Sequence, residues 1–408
     1  MISLVVAVIA WRRSGDPIRH ETPIIAGILV YFAIGTLDIV LAMSEWSPRY
    51  AVTSRVWSIV GAGVLAYLIG GWAGRRRPPA IHAPKPGETA RAEQSGKTLS
   101  VVGWIGIVLL LYITRAPLLT GANRESSSGY LTNLALFIIP AFLLRFAARR
   151  GRLGRGDYGL LGLAAFLLLV TGYRTYTLVL GLSAGTLLLL DAASRRQRLR
   201  IAGAILALGL TVGVGFGYWR FTREGNESGD QLVNLVVGQN DPNLLRLAAA
   251  YTFVGLFREG PALLGFLVER YPGLTPHTGG AALAGMLTSP LPGEQWDARA
   301  IISQDLYGMR QTSLVSTVFG PWYLDFGVGG VIVALGLMGF LLSRIERRAL
   351  TRGDPYARAG YSYGLVLMAL TIHTGLSDFA FAVLIPLLFV WAATRLGATP
   401  EEEPQGTQ

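Results

Sequence analysis

The feature that most constrains this chain is an alternation. Apolar runs close to the roughly 20 residues needed to cross a bilayer are separated by short segments, and every second segment is crowded with arginine. The runs fall near 22–43, 51–73, 99–119, 130–148, 158–172, 175–193, 201–219, 314–342, 359–376 and 379–396. A shorter run at 1–11 lacks the basic start and small-residue cleavage site of a signal peptide, so it reads as a helix whose beginning is incomplete. A chain that is 51% hydrophobic and only 15% charged is too apolar and too poor in charge for a soluble protein of this length. The expected fold is all-α: a polytopic integral membrane protein with about eleven transmembrane helices, on the span length above.

The net charge of +11 would suit nucleic acid only if the basic residues shared one face. They sit instead in "WRRSGDPIR", "RRRPPAIHAPKPGETARAEQSGK", "RRGRLGR", "RRQRLR" and "RIERRALTRGDPYAR", which occupy every second loop. Arginine and lysine accumulate on the cytoplasmic side, so these five loops are expected inside. The intervening loops, with Arg49, Arg115, Arg124 and Arg174, are expected outside, as is the amino terminus.

This orientation divides the chain into an N-terminal bundle over 1–219, a long extracytoplasmic loop over 220–313, C-terminal helices over 314–396 and a disordered cytoplasmic tail over 397–408. Within the first part, residues 74–98, with four prolines and no apolar periodicity, read as a flexible cytoplasmic linker. The long loop is too apolar to be disordered. Its stretch 244–270 has Leu and Phe at helical spacing with Pro261 in the middle, which predicts a pair of interfacial helices lying on the outer leaflet. "YPGLTPHTGG" and "SPLPGEQWD" follow as turn-rich segments fit to line a cleft.

The chain has no cysteine, and its four histidines, at 20, 82, 277 and 373, are scattered. No metal-ligand cluster is legible, and no cofactor motif. Charge inside a bilayer is costly, so its position is informative. Asp38, Asp325 and Asp378 lie toward outer ends and Arg145 toward an inner end, which leaves the middle of the spans nearly empty. A transporter or flippase would place its binding groups near the midplane, and is disfavoured.

"TGYRTY" puts Arg174 between two apolar runs. The residue reads either as a snorkelling anchor or as a phosphate ligand, because the planar guanidinium fork matches phosphate oxygens. Arg124, in "GANRESSSGY", carries the same two readings.

The order of a "GYRT" helix start, a long outer loop and "VFGPWYLDFGVGGVIV" opening the next span resembles the O-antigen polymerase family, the oligosaccharide repeat-unit polymerases. Arg174 followed by Gly185 matches the arginine-to-glycine spacing of that family's outer regions. The resemblance implies a GT-C-like, metal-independent membrane glycosyltransferase of the cytoplasmic membrane, with no cofactor and its active site on the extracytoplasmic side. Its donor and acceptor would be polyprenyl-diphosphate-linked oligosaccharides among membrane lipids, with a flippase and a chain-length regulator as further partners.

It further implies that Arg174, Arg124, Arg220 and Arg223 are diphosphate-binding candidates, and that an acceptor hydroxyl needs a base. His277, the one histidine of the long loop, is the first candidate, with Asp325, Glu125, Asp305 and Glu259 as carboxylate alternatives. Asp325 has a second reading as a structural cap or an interhelical hydrogen-bond partner. A related O-antigen ligase, transferring the finished glycan to another acceptor, would share this layout. A lipid-phosphate-sugar mannosyltransferase would show an acidic pair in the first outer loop, where "SEWSPRY" offers only Glu45.

Overall fold

The computed structural model describes residues 19–41, 52–76, 87–116, 129–150, 153–172, 174–192, 196–205, 256–291, 296–308, 315–376 and 378–395, with a few single positions between them. All regular structure among these residues is helical. In chain order the helices are α1 (Glu21–Leu41), α2 (Ser54–Arg75), α3 (Glu88–Thr114), α4 (Gly129–Ala135), α5 (Ile138–Arg149), α6 (Arg155–Val170) and α7 (Arg174–Asp191). There follow α8 (Leu256–Arg270), α9 (Ala281–Thr288), α10 (Ala298–Tyr307), α11 (Gly320–Arg352), α12 (Pro355–Thr374) and, after a π-helical turn at Ala380–Leu384, α13 (Ile385–Arg395).

Four helical segments, Ser54–Arg75, Glu88–Thr114, Gly129–Arg149 and Gly320–Thr351, are long and apolar enough to cross a membrane. Glu21–Thr36, Thr175–Asp191 and Ala380–Thr394 are shorter apolar helices. The expected run at 1–11, most of 201–219, the loop over 220–255 and the tail over 397–408 lie outside the described residues.

The helices group into two compact units: 1–78, 194–346 and 364–379 in one, 79–193, 347–363 and 380–408 in the other. In the first unit, α2 crosses α11 with the two backbones nearly touching. A Cβ on Gly70 would fall 1.9 Å from the Gly336 carbonyl oxygen, and one on Gly74 2.6 Å from that of Phe340. Small residues are what permit such an approach between membrane helices. Below the crossing, fully buried His20 hydrogen-bonds Tyr67 (2.6 Å) and Ser343 (2.8 Å). Arg75 pairs with Glu21 beside it.

The second unit repeats the small-residue device with α3. Cβ atoms on Gly103 and Gly106 would lie 2.6 Å from the Ile138 nitrogen and 2.4 Å from the Ala135 nitrogen. Arg149 bridges Glu93 of α3 (2.7 Å) and Asp157 of α6 (2.6 Å), tying three helices together.

Some details differ from the expectation. Residues 88–98, read as part of a linker, are the first turns of α3 with Ala92, Ser95 and Gly96 buried. The face they bury is made of small side chains, which carry no hydrophobic signal. Pro261 lies inside the single helix α8 rather than dividing two helices. Proline's fixed φ is helical and costs one backbone bond, which packing on α1 and α2 offsets. That packing buries Leu263, Leu264, Phe266 and Leu267.

The run over 130–148 is one apolar segment, with a tight turn between α4 and α5 because Pro140 has no N–H for the Leu136 carbonyl. That oxygen accepts from Ile139 instead, at 3.1 Å, in a tighter turn. Finally, α11 continues past 342 through "SRIERRALTR", a run rich in good helix formers. It stops at Gly353, whose φ is 62°, where the Asp354 side chain accepts from the Tyr356 N–H at 2.9 Å to start α12.

Candidate functional site

The turn-rich segment between α8 and α9 folds onto the start of α11. Asp325, one turn into that helix and 2% exposed, sends its carboxylate to the amino end of α9. One oxygen accepts from the Thr278 hydroxyl and from the Ala282 N–H (3.0 Å), the other from the Leu283 N–H (2.9 Å). The positive end of a helix and a buried anion satisfy each other here. Both oxygens accept hydrogen bonds and are shielded from water, so the geometry is that of a cap supplied from another helix. A proton taken up here would break bonds that hold α9.

This cap carries His277. The Thr278 N–H donates to the Leu324 carbonyl (3.0 Å) and the Gly279 N–H to the Asp325 carbonyl (3.1 Å), pinning the loop to α11. The His277 ring lies parallel to Tyr271 (17° between planes) and edge-on to Tyr323 (86°). Its Nδ1 stands 3.3 Å from the Leu324 carbonyl oxygen, which holds the proton on Nδ1 and leaves the lone pair on Nε2. That Nε2 faces Gly327: a Cβ there would lie 2.9 Å away. Gly327 interrupts α11 with φ 64° and ψ −151°, a conformation open to glycine alone. The break and the histidine therefore fit together.

Around them the Tyr271 hydroxyl donates to Asp305 of α10, and Arg270 Nε reaches the same carboxylate at 3.2 Å. Burial and the Asp305 carboxylate hold the Tyr271 hydroxyl well above the ordinary tyrosine range, so it stays protonated. The Tyr323 hydroxyl donates to the Tyr271 carbonyl at 3.0 Å. Asp305 is thus committed to fixing the tyrosine against which His277 stacks.

A second polar group lies at the other end of α8. Val315 N–H donates to Glu259 Oε1 at 3.2 Å, and burial pushes the Glu259 carboxyl from the ordinary 4.5 up to about 7. Next to it Gly260 packs on Tyr31, where a Cβ would meet the hydroxyl at 2.2 Å. The Tyr31 hydroxyl bonds His373 Nδ1 at 2.9 Å. The chain over 315–319 is irregular and buried. Its Ser316 and Thr317 N–H groups donate to the Thr374 (3.4 Å) and His373 (3.2 Å) carbonyls, and Thr317 is held at φ 55°.

Among the predicted residues, the structure brings His277 and Asp325 together and gives them different surroundings. Arg174 opens α7, and its side chain lies outside the described residues, as do Arg124, Glu125, Arg220 and Arg223. Sequence reading missed Tyr31 and His373. The one signal available for Tyr31 is a hydroxyl in the middle of an apolar run, which must find a partner when buried.

The family model described as "Putative O-antigen polymerase" matches residues 21–227 and 263–385. No curated protein matches the chain, and no solved structure does. The matched stretches take in the helix opened by Arg174, His277 with its tyrosines, and the Asp325 cap, and with most of its length aligned to that one description, the chain belongs to the O-antigen polymerase family.

Proposed function

We propose that this protein polymerises polyprenyl-diphosphate-linked oligosaccharide repeat units into a surface polysaccharide, on the outer face of the cytoplasmic membrane. The family match carries the reading, and the alternation of arginine-rich loops supports the side. A hydroxyl of the acceptor glycan attacks the anomeric carbon of the donor. The new C–O bond forms as the bond to the diphosphate breaks, the electron pair leaves with the diphosphate, and the hydroxyl proton passes to a base in the long outer loop.

Arg174, with Arg124, Arg220 and Arg223 as further candidates, neutralises the leaving diphosphate, a task that a metal performs in other phosphate chemistry. Half-buried His277 recognises the acceptor, its ring held by the buried Tyr271 and Tyr323 and its neighbouring loop pinned by Asp325.

The test is purified protein in lipid nanodiscs with a defined lipid-linked repeat unit, read as product chain length. A ladder of products is expected; a single transfer to a different acceptor would replace polymerase by ligase. A bidentate phosphate contact needs the planar fork, so Arg174→Lys should fall with Arg174→Ala. Loss of one preorganised donor costs about 10²-fold or more in rate. Full activity in the lysine variant would make Arg174 a membrane anchor.

A further inference from the structure

We infer that Glu259 is the base that takes the proton from the acceptor hydroxyl; the inference rests on reading the chain as a glycosyl transferase. The candidates differ in how far their polar atoms are already engaged. Of the four carboxylate and imidazole candidates that the structure describes, Asp325 is 2% exposed and both its oxygens are engaged, by three donors in all. Asp305 is held by Tyr271 and Arg270. His277 has Nδ1 against a carbonyl, and its Nε2 is packed on the α11 backbone at Gly327.

Glu259 differs from all three. One oxygen accepts a single backbone N–H, from Val315, and among the described residues no arginine or lysine is paired with it. Burying a carboxylate in apolar surroundings is costly, and carboxyls perturbed in this way cluster at functional sites.

Its surroundings suit a proton acceptor. The groups that face it are Tyr31 from α1 and, through that hydroxyl, His373 from α12. Ser316 and Thr317, on the chain beside Val315, do not titrate. Thr317 is held in the left-handed region at φ 55°, a strained backbone state that clusters at functional sites. With burial moving the carboxyl to about 7, the group is balanced between accepting and releasing a proton near neutral pH, where general bases are most effective.

In the step itself, Glu259 receives the hydroxyl proton as the acceptor oxygen bonds the anomeric carbon and the diphosphate departs with its electron pair. The proton then leaves to water. At 1.5 Å per helical residue, the twelve positions from 259 to 271 put Glu259 roughly 18 Å from the tyrosine that stacks on His277. On that spacing the histidine platform holds acceptor sugars several rings away from the reacting hydroxyl.

The experiment compares wild type, Glu259→Gln and His277→Gln in nanodiscs, at matched abundance, with the same lipid-linked repeat unit. Glutamine keeps the acceptor for the Val315 N–H and cannot take a proton. Glu259→Gln should slow single-turnover transfer about 10²- to 10⁴-fold while equilibrium binding of the lipid-linked unit is retained. The wild-type rate should rise with pH through a midpoint near 7, and that limb should vanish in Glu259→Gln and persist in His277→Gln. A Glu259→Gln enzyme with wild-type rate and an intact limb overturns the inference, as does loss of the limb in His277→Gln alone. If wild type itself transfers no glycan, the glycosyl-transferase reading fails first, and the two failures are told apart.

Discussion

Removing the Asp325 carboxylate should unseat α9 and the His277 loop together. Three donors converge on it: the Thr278 hydroxyl and the Ala282 and Leu283 N–H groups. Hydrogen bonds to a charged acceptor contribute about 1.5–3 kcal/mol each. Thr278 has a second acceptor in the Leu324 carbonyl at 3.3 Å, and half-buried Leu283 gains water when the cap is lost. The net cost of Asp325→Ala is therefore about 3–5 kcal/mol, below the sum of three bonds.

Asparagine separates a cap from a mere space-filler. Its oxygen can serve Thr278 and Ala282, but its NH₂ then faces the Leu283 N–H, donor against donor. Asp325→Asn should thus recover under half of the loss. The assay is amide hydrogen exchange of α9 in detergent or nanodiscs, with glycan transfer measured on the same samples. Protection at residues 281–284 should collapse in the alanine variant, be weak in asparagine, and track activity across the series. Unchanged exchange in either variant, or lost activity with full α9 protection, would refute the capping argument and return Asp325 to the list of proton acceptors.

Gly70→Ala forces a Cβ to within 1.9 Å of the Gly336 oxygen and should destabilise by about 1–3 kcal/mol or more, whereas Gly162→Ala, with open space around it, should leave the melting temperature unchanged or raised. Glu259→Gln should stabilise the protein at high pH. The folded carboxyl, at about 7, lies above its ordinary 4.5, so its contribution is fully present below pH 4.5 and is lost as pH rises through 7. At 1.36 kcal/mol per pKa unit, the wild type should fall behind the glutamine variant by about 3 kcal/mol at pH 8, and parallel unfolding curves at pH 5 and 8 would contradict the burial argument. Cysteines introduced into this cysteine-free chain at Lys85 and Asp230 should be labelled from outside the cell only at 230, and the reverse pattern would invert the orientation.

Apolar length alone made α2, α3, α11 and the 129–149 segment legible, because a bilayer sets a minimum that few other folds demand. It failed where stability comes from somewhere else. The first turns of α3 are polar in sequence and are held by Glu93 to Arg149 and by glycine and alanine against α5. No local pattern announces a partner 56 residues away. The same holds at the site. His277 and Asp325 were visible as residue types, but what makes the Asp325 carboxylate a cap is donors 42 to 47 residues distant. Tyr31 and His373 are separated by 342 positions, and their pairing exists only in the folded chain.

The buried histidine beneath the α2–α11 crossing bears on how the protein is made. His20, just before α1, and Tyr67 of α2 are neighbours, but Ser343, which takes the other ring nitrogen, follows His20 by 323 residues. At the usual 5–20 residues per second of synthesis, the first hairpin waits roughly 15 to 65 s before that partner emerges. During this interval one imidazole nitrogen has to be served by water or by the insertion machinery. A nascent chain halted before residue 343 should therefore leave His20 open to modification by an imidazole reagent, and the completed protein should shield it.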